Sequence, residues 1–218
     1  MKYSVFISYR RDQSEDVLQK KLMNNLKKML ESVAGHATDV AKVFFDEDSI
    51  KWGEEFDEKI YNCIVSSCFF IPIYYDNYLS VKKLWCAREL YHAIEVEKMI
   101  RDKTSTKFCF ILPLIRYGDK NLPECIYTKN AKSLHVYITD IINNQPSKKH
   151  MDFRKEIYNT LQEHHNNVKD ISEEDIIKWC EGIVIPSDEI LKEWIKEKNQ
   201  EMRRQEETKT PKIQKYAK

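Results

Sequence analysis

A chain of 218 residues has room for one sizeable domain and an appendage, long enough to bury a core without disulfide staples. Its net charge of +1 conceals dense charge of both signs, 33% of residues being Asp, Glu, Lys or Arg, so no sign-biased field favours nucleic acid. The longest apolar run, Cys68 to Tyr75, falls far short of the roughly 20 residues a membrane helix needs. A strand begins at Tyr3, which leaves no space for a signal peptide. The six cysteines, at 63, 68, 86, 109, 125 and 180, form no CxxC pair and have no histidine spacing suited to zinc. Reduced thiols in a cytoplasmic protein, with no metal site, are the expectation.

In chain order, Tyr3 to Tyr9 (YSVFISY) is β-branched and aromatic and predicts a buried strand, with Arg10, Arg11 and Asp12 as its exit loop. From Ser14, Leu18, Leu22, Leu26, Met29 and Val33 form one apolar stripe of a helix that Gly35 is expected to end. Lys42 to Asp46 predicts a second strand. Phe56, Ile60, Cys63 and Ile64 share a face of the next helix, whose positive end suits Glu54 and Glu55. The run Cys68–Tyr75 predicts a strand covered on both faces. A helix starting between Ser80 and Leu84 and reaching Ile100 buries Leu90, Ala93 and Ile94. Strands are expected over Lys107–Ile115 and Lys132–Ile138, and a helix over Asp152–His165.

Strands alternating with helices predict an α/β fold, a parallel sheet covered by helices on both faces. Ligands of such sheets bind beyond the carboxyl ends of the strands, so the loops after Tyr9, Asp46 and Tyr75 are the ones to inspect. Residues 167–218 differ in kind. Ser172-Glu-Glu-Asp175 starts one helix, Pro186-Ser187 interrupts, and a second helix is expected over Asp188–Glu206 with Leu191, Trp194 and Ile195 apolar. Beyond Glu207 the lysine-rich composition predicts disorder.

Only four glycines occur, at 35, 53, 118 and 182, which excludes GxGxxG and the P-loop. No GxSxG or HExxH is present. Any nucleotide phosphate must therefore be held by arginine, whose rigid donor fork suits it.

The segments VFISYRRD (5–12), FFDEDSIKWGEEFDEKI (44–60), SSCFFIPIYYDNYLS (66–80) and LWCAREL (84–90) follow one another in an order and spacing that resembles the Toll/interleukin-1 receptor (TIR) domain. The likeness covers roughly residues 3 to 140; Lys82-Lys83 are two extra residues before Leu84-Trp85. It implies a flavodoxin-like three-layer fold with a five-stranded parallel sheet over residues 1–166, and a helical extension over 167–218. It also implies the enzymatic branch of the family, which takes NAD+ as substrate rather than as cofactor.

On that resemblance Glu89 is the catalytic carboxylate. Tyr9, Arg10, Arg11, Asp46, Trp52 and Trp85 are nucleotide-binding candidates, one of the two arginines contacting the pyrophosphate. Read without it, Glu89 is an ordinary solvated helix carboxylate, the arginines are surface charges, and Tyr9 and Trp52 are packing aromatics. Trp52 beside Gly53 in a polar loop fits stacking on a flat ring better. Cys86 has no accompanying histidine and reads as packing. Breaking the nicotinamide–ribose bond builds positive charge on the ribose, which a nearby carboxylate stabilises. The implied product is ADP-ribose, or a cyclic or conjugated derivative read by a separate effector protein, as in anti-phage immune signalling. Self-association through TIR–TIR contacts is implied as well. The alternative is a non-enzymatic adaptor, or a host-mimicking interaction module, acting through those contacts alone; neither nucleic acid nor membrane is expected as a partner.

Overall fold

The computed structural model describes residues 1–10, 17–40, 42–45, 56–75, 78–116, 131–145 and 147–209. Five parallel strands form its sheet: β1 (Tyr3–Ser8), β2 (Val43–Phe45), β3 (Ser67–Tyr74), β4 (Leu114–Ile115) and β5 (Lys132–Ser133). Their spatial order is β2-β1-β3-β4-β5, the flavodoxin-like winding, which reverses direction between β1 and β3. Every residue of β1 and β3 is buried, as continuous apolar runs in a doubly covered sheet require.

Seven α-helices are described: α1 (Val17–Thr38), α2 (Phe56–Val65), α3 (Trp85–Thr104), α4 (Ile138–Asn143), α5 (Lys148–Asn166), α6 (Glu173–Cys180) and α7 (Asp188–Lys209). Helices α1 and α5 pack together on one side, while α2 and α3 pack together on the other. Helix α1 buries Leu22, Leu26, Met29, Leu30 and Val33, but Leu18 is exposed, so the stripe begins one turn later than its spacing predicts. Gly35 lies inside α1. The helix ends at Thr38, whose Oγ1 donates to the Ala34 carbonyl, and Asp39 turns the chain at φ 58°.

The fourth and fifth strands are shorter than the sequence predicts. Phe70 N–H donates to the Phe110 carbonyl, so the even-numbered amides of β3 face β4. Pro72 is next in that row and has no N–H, which interrupts the ladder between the Phe70–Ile111 bridge and the Leu114–Ile115 pairs. After β5, Leu134 is buried and accepts from Tyr137 N–H, so the chain turns into a 3-10 turn and then α4. Tyr137, read as strand, serves helix packing instead and stacks on Phe153 at 4.2 Å.

The C-terminal helices lie against α2 and α3. Ser172 caps α6, accepting from Asp175 N–H at 3.0 Å. Ile176, Leu191 and Ile195 are buried, and Trp194 meets Tyr91 of α3 edge to face at 5.7 Å. The Met1 ammonium reaches Glu173 at 2.9 Å. Helix α7 continues to Lys209; the expected disorder beyond that point lies outside the described residues.

Candidate functional site

Ser8, the last residue of β1, and Tyr74, the last of β3, sit at the carboxyl ends of the two strands that flank the reversal in winding. Helix α3 starts at Trp85 near this edge, because the chain leaving β3 closes first on itself. Tyr78 N–H donates to the Tyr75 carbonyl at 2.8 Å, and Ser80 bridges Lys83. No side chain caps α3, whose preceding residue is Leu84.

Glu89, one turn into α3, is only 6% exposed. It is not the solvated helix carboxylate that its residue type alone suggests. Ser8 Oγ donates to Glu89 Oε2 at 2.5 Å, and Tyr78 Oη lies 2.6 Å from the same Ser8 Oγ. Tyr78 is fully buried, its ring 5.5 Å from that of Tyr74. Burial, and then electrostatic opposition from Cys86 and Glu89, push the Tyr78 phenol well above its ordinary pKa, so it keeps its proton.

A second group joins the same edge. Tyr75 Oη donates to the Arg10 backbone carbonyl, and the Arg116 guanidinium lies over the Tyr75 ring at 6.0 Å. Arg116 N–H donates to the Tyr74 carbonyl at 2.8 Å. The ends of β1, β3 and β4 are thereby tied together, with two half-buried arginines between them.

Among the residues singled out from sequence, Tyr9 is buried at the end of β1 and Arg10 is half-buried beside it. Trp85 is 46% exposed on the first turn of α3, with the Arg88 guanidinium 5.3 Å from its ring centre. Arg11, Asp46 and Trp52 lie outside the described residues. Cys86 is buried, in keeping with a packing role, and the described cysteines form no disulfide with one another. Sequence reasoning missed Ser8, Tyr75, Tyr78 and Arg116. The one signal for Ser8 was a hydroxyl at the carboxyl end of a buried strand, and for the tyrosines their clustering at 74, 75 and 78.

A cavity of about 750 Å³ lies elsewhere, against α5 and the starts of β4 and β5, with Phe108, Lys132 and His164 in its wall. None of the predicted site residues lines it. Among the described residues no cluster of His, Cys, Asp or Glu suits a metal ion, and no helix is long and apolar enough to cross a membrane.

The profile of the TIR domain family matches residues 2–104, which run from β1 to the end of α3. Residues 2–104 are a TIR domain. Ser8, Tyr75, Tyr78 and Glu89 all fall within it. Among solved structures, the chain is similar to the TIR domains of the activated Roq1 resistosome directly recognizing the pathogen effector XopQ. The two share 18% identity over 81% of this chain and 95% of the other, with a TM-score of 0.37. No curated protein matches the chain.

Proposed function

We propose that this TIR domain hydrolyses or cyclises NAD+, with Glu89 as the carboxylate that faces the reacting ribose. The observation that carries the proposal is the placement of Glu89: a buried, hydrogen-bonded carboxylate on α3 beside the carboxyl ends of β1 and β3. That edge, at the reversal of winding, is where open α/β sheets bind their ligands.

The chemistry needs little more from the protein. The bond between ribose C1′ and the nicotinamide nitrogen breaks, and its electron pair leaves with nicotinamide, which becomes neutral. The ribose carries the positive charge that forms, and a fixed carboxylate stabilises it without reorganising. Water adds to C1′ and loses a proton to give ADP-ribose; a nucleophile within the same molecule gives a cyclic product. In this reading Arg10, just after β1, meets phosphate and exposed Trp85 lies against a flat ring. The product then acts as a signal for a separate protein in immune defence.

The test is direct. Purified protein is incubated with NAD+ and the products are identified by mass, with Glu89→Gln as control. Nicotinamide release by the wild type, reduced at least about a thousandfold in the variant, is the expected result. Full turnover in folded Glu89→Gln would remove the role given to this carboxylate, whereas no turnover in the wild type at any protein concentration would overturn the proposal in favour of an adaptor role.

A further inference from the structure

We propose that Tyr78 and Ser8 form a two-hydroxyl relay that holds the Glu89 carboxylate ionised and aimed, which makes Tyr78 a positioning residue for the site. The proposal rests on the reading of Glu89 given above, but its geometry stands without it. Three oxygens lie in a row: Tyr78 Oη to Ser8 Oγ at 2.6 Å, and Ser8 Oγ to Glu89 Oε2 at 2.5 Å. All three residues are buried.

Proton counting fixes the direction. A serine hydroxyl has one proton, and an ionised carboxylate only accepts. With Glu89 charged, the Ser8 proton goes to Oε2, and the Ser8 lone pair is left to accept the Tyr78 proton. The reverse order needs a protonated Glu89 donating to Ser8 and Ser8 donating to Tyr78, which strips the buried phenol proton of this acceptor. Burial raises the phenol's pKa, so Tyr78 stays a donor. The Ser8 O–H then points at the carboxylate oxygen and the Tyr78 O–H at Ser8 Oγ, and each bond strengthens the other in a site of low dielectric.

The relay also joins three pieces of chain distant in sequence. Ser8 ends β1, Tyr78 follows β3, and Glu89 belongs to α3. Rotation of α3 about its axis breaks the Ser8 bond, so the rotamer of Glu89 is fixed by the sheet and not by the helix alone. Tyr74 of β3 and Cys86 of α3 are the other titratable groups against Tyr78. Arg88 of the same helix pairs with Asp188, and Arg10 continues β1 at the same edge. None of these is altered by the test below.

Tyr78→Phe keeps the ring against Tyr74 and removes only the terminal donor. Ser8→Ala removes both bonds. The full chain is labelled with 13C at glutamate carboxyls, and the Glu89 signal is assigned by its loss in Glu89→Gln. Removing a donor to the charged form favours the neutral form, so the titration midpoint of Glu89 rises by about one pH unit in Tyr78→Phe and further in Ser8→Ala. The acid limb of nicotinamide release moves to higher pH by the same amount, and addition of base restores the rate. Should Ser8→Ala fail to fold, Tyr78→Phe decides alone. Midpoints unchanged from the wild type overturn the relay. A raised midpoint in a protein that never cleaves NAD+ leaves the relay standing and removes the proposed function instead; a cleaving enzyme with an unmoved midpoint does the reverse.

Discussion

Arg88 and Asp188 pair across the seam between the TIR domain and its C-terminal helices, one residue away from Glu89. The same guanidinium lies over the Trp85 ring, so one cation ties the first turn of α7 to the first turn of α3. Asp188 is 45% exposed, so water screens the pair. Asp188→Asn should cost less than about 1 kcal/mol in stability, read as a small shift in melting temperature. A larger loss would mean that the pair carries more of the docking than its exposure allows.

Deleting the extension is a heavier change. Ile176, Leu191 and Ile195 are fully buried, and Trp194 meets Tyr91, so truncation after residue 167 uncovers the outer faces of α2 and α3. The truncated protein should melt earlier and aggregate more readily, while the Ser8–Tyr78–Glu89 row is left in place. Unchanged melting and solubility would show that these helices do not stabilise the domain.

A second buried carboxylate on α3 has a structural role. Glu97 accepts from the N–H groups of Phe110 at 2.9 Å and Ile111 at 3.1 Å, and Arg101 sits 3.4 Å from its other oxygen. It staples the end of α3 to the chain entering β4. Glu97→Ala leaves two buried amides without this acceptor and should cost roughly 3 kcal/mol, whereas Glu97→Gln keeps an acceptor and should cost less. Denaturant titration of both variants checks the order.

His92, three residues beyond Glu89, is buried against Tyr61, ring centres 4.8 Å apart. Burial lowers its pKa from 6.5 to about 4. Between those values the unfolded chain binds a proton that the folded chain does not, so stability is lost as pH falls from 6.5 through 4. The loss attributable to His92 is roughly 3 kcal/mol. His164 and His165, also lowered by burial, act with the same sign. His92→Leu should flatten part of this acid dependence; identical slopes for variant and wild type would contradict the assignment.

If the proposed reaction holds, it should depend on self-association. Trp85, at the helix turn before Glu89, is 46% exposed. A site open to water weakens charge stabilisation at the ribose, and a neighbouring copy that covers it links activity to assembly by mass action. Specific activity should rise with protein concentration, and inactive Trp52→Ala and Glu89→Gln proteins should partly rescue each other when mixed. Flat specific activity on dilution together with no rescue would count against a composite site.

The sequence alone determined the class of fold and the order of its parts. Continuous apolar runs at Tyr3–Tyr9 and Cys68–Tyr75 demand burial on both faces, and apolar stripes at helical spacing supply the covering layers. Glu89 and Trp85 were marked by the resemblance of LWCAREL to the TIR motif, since residue type alone leaves Glu89 a solvated helix carboxylate. Local spacing could not reveal the break at Pro72, since a missing amide matters only once its facing strand is known. Nor could it separate the strand-like residues after Leu134 from a helical turn, because burial against Phe153 comes from 16 residues away in the chain at Tyr137. The partners of Glu89 were the least legible. Ser8 is 81 residues from it and 70 from Tyr78, and only the winding of the sheet brings those hydroxyls to one carboxylate. Such contacts are set by closure of long loops, which leaves no periodicity in the sequence to read.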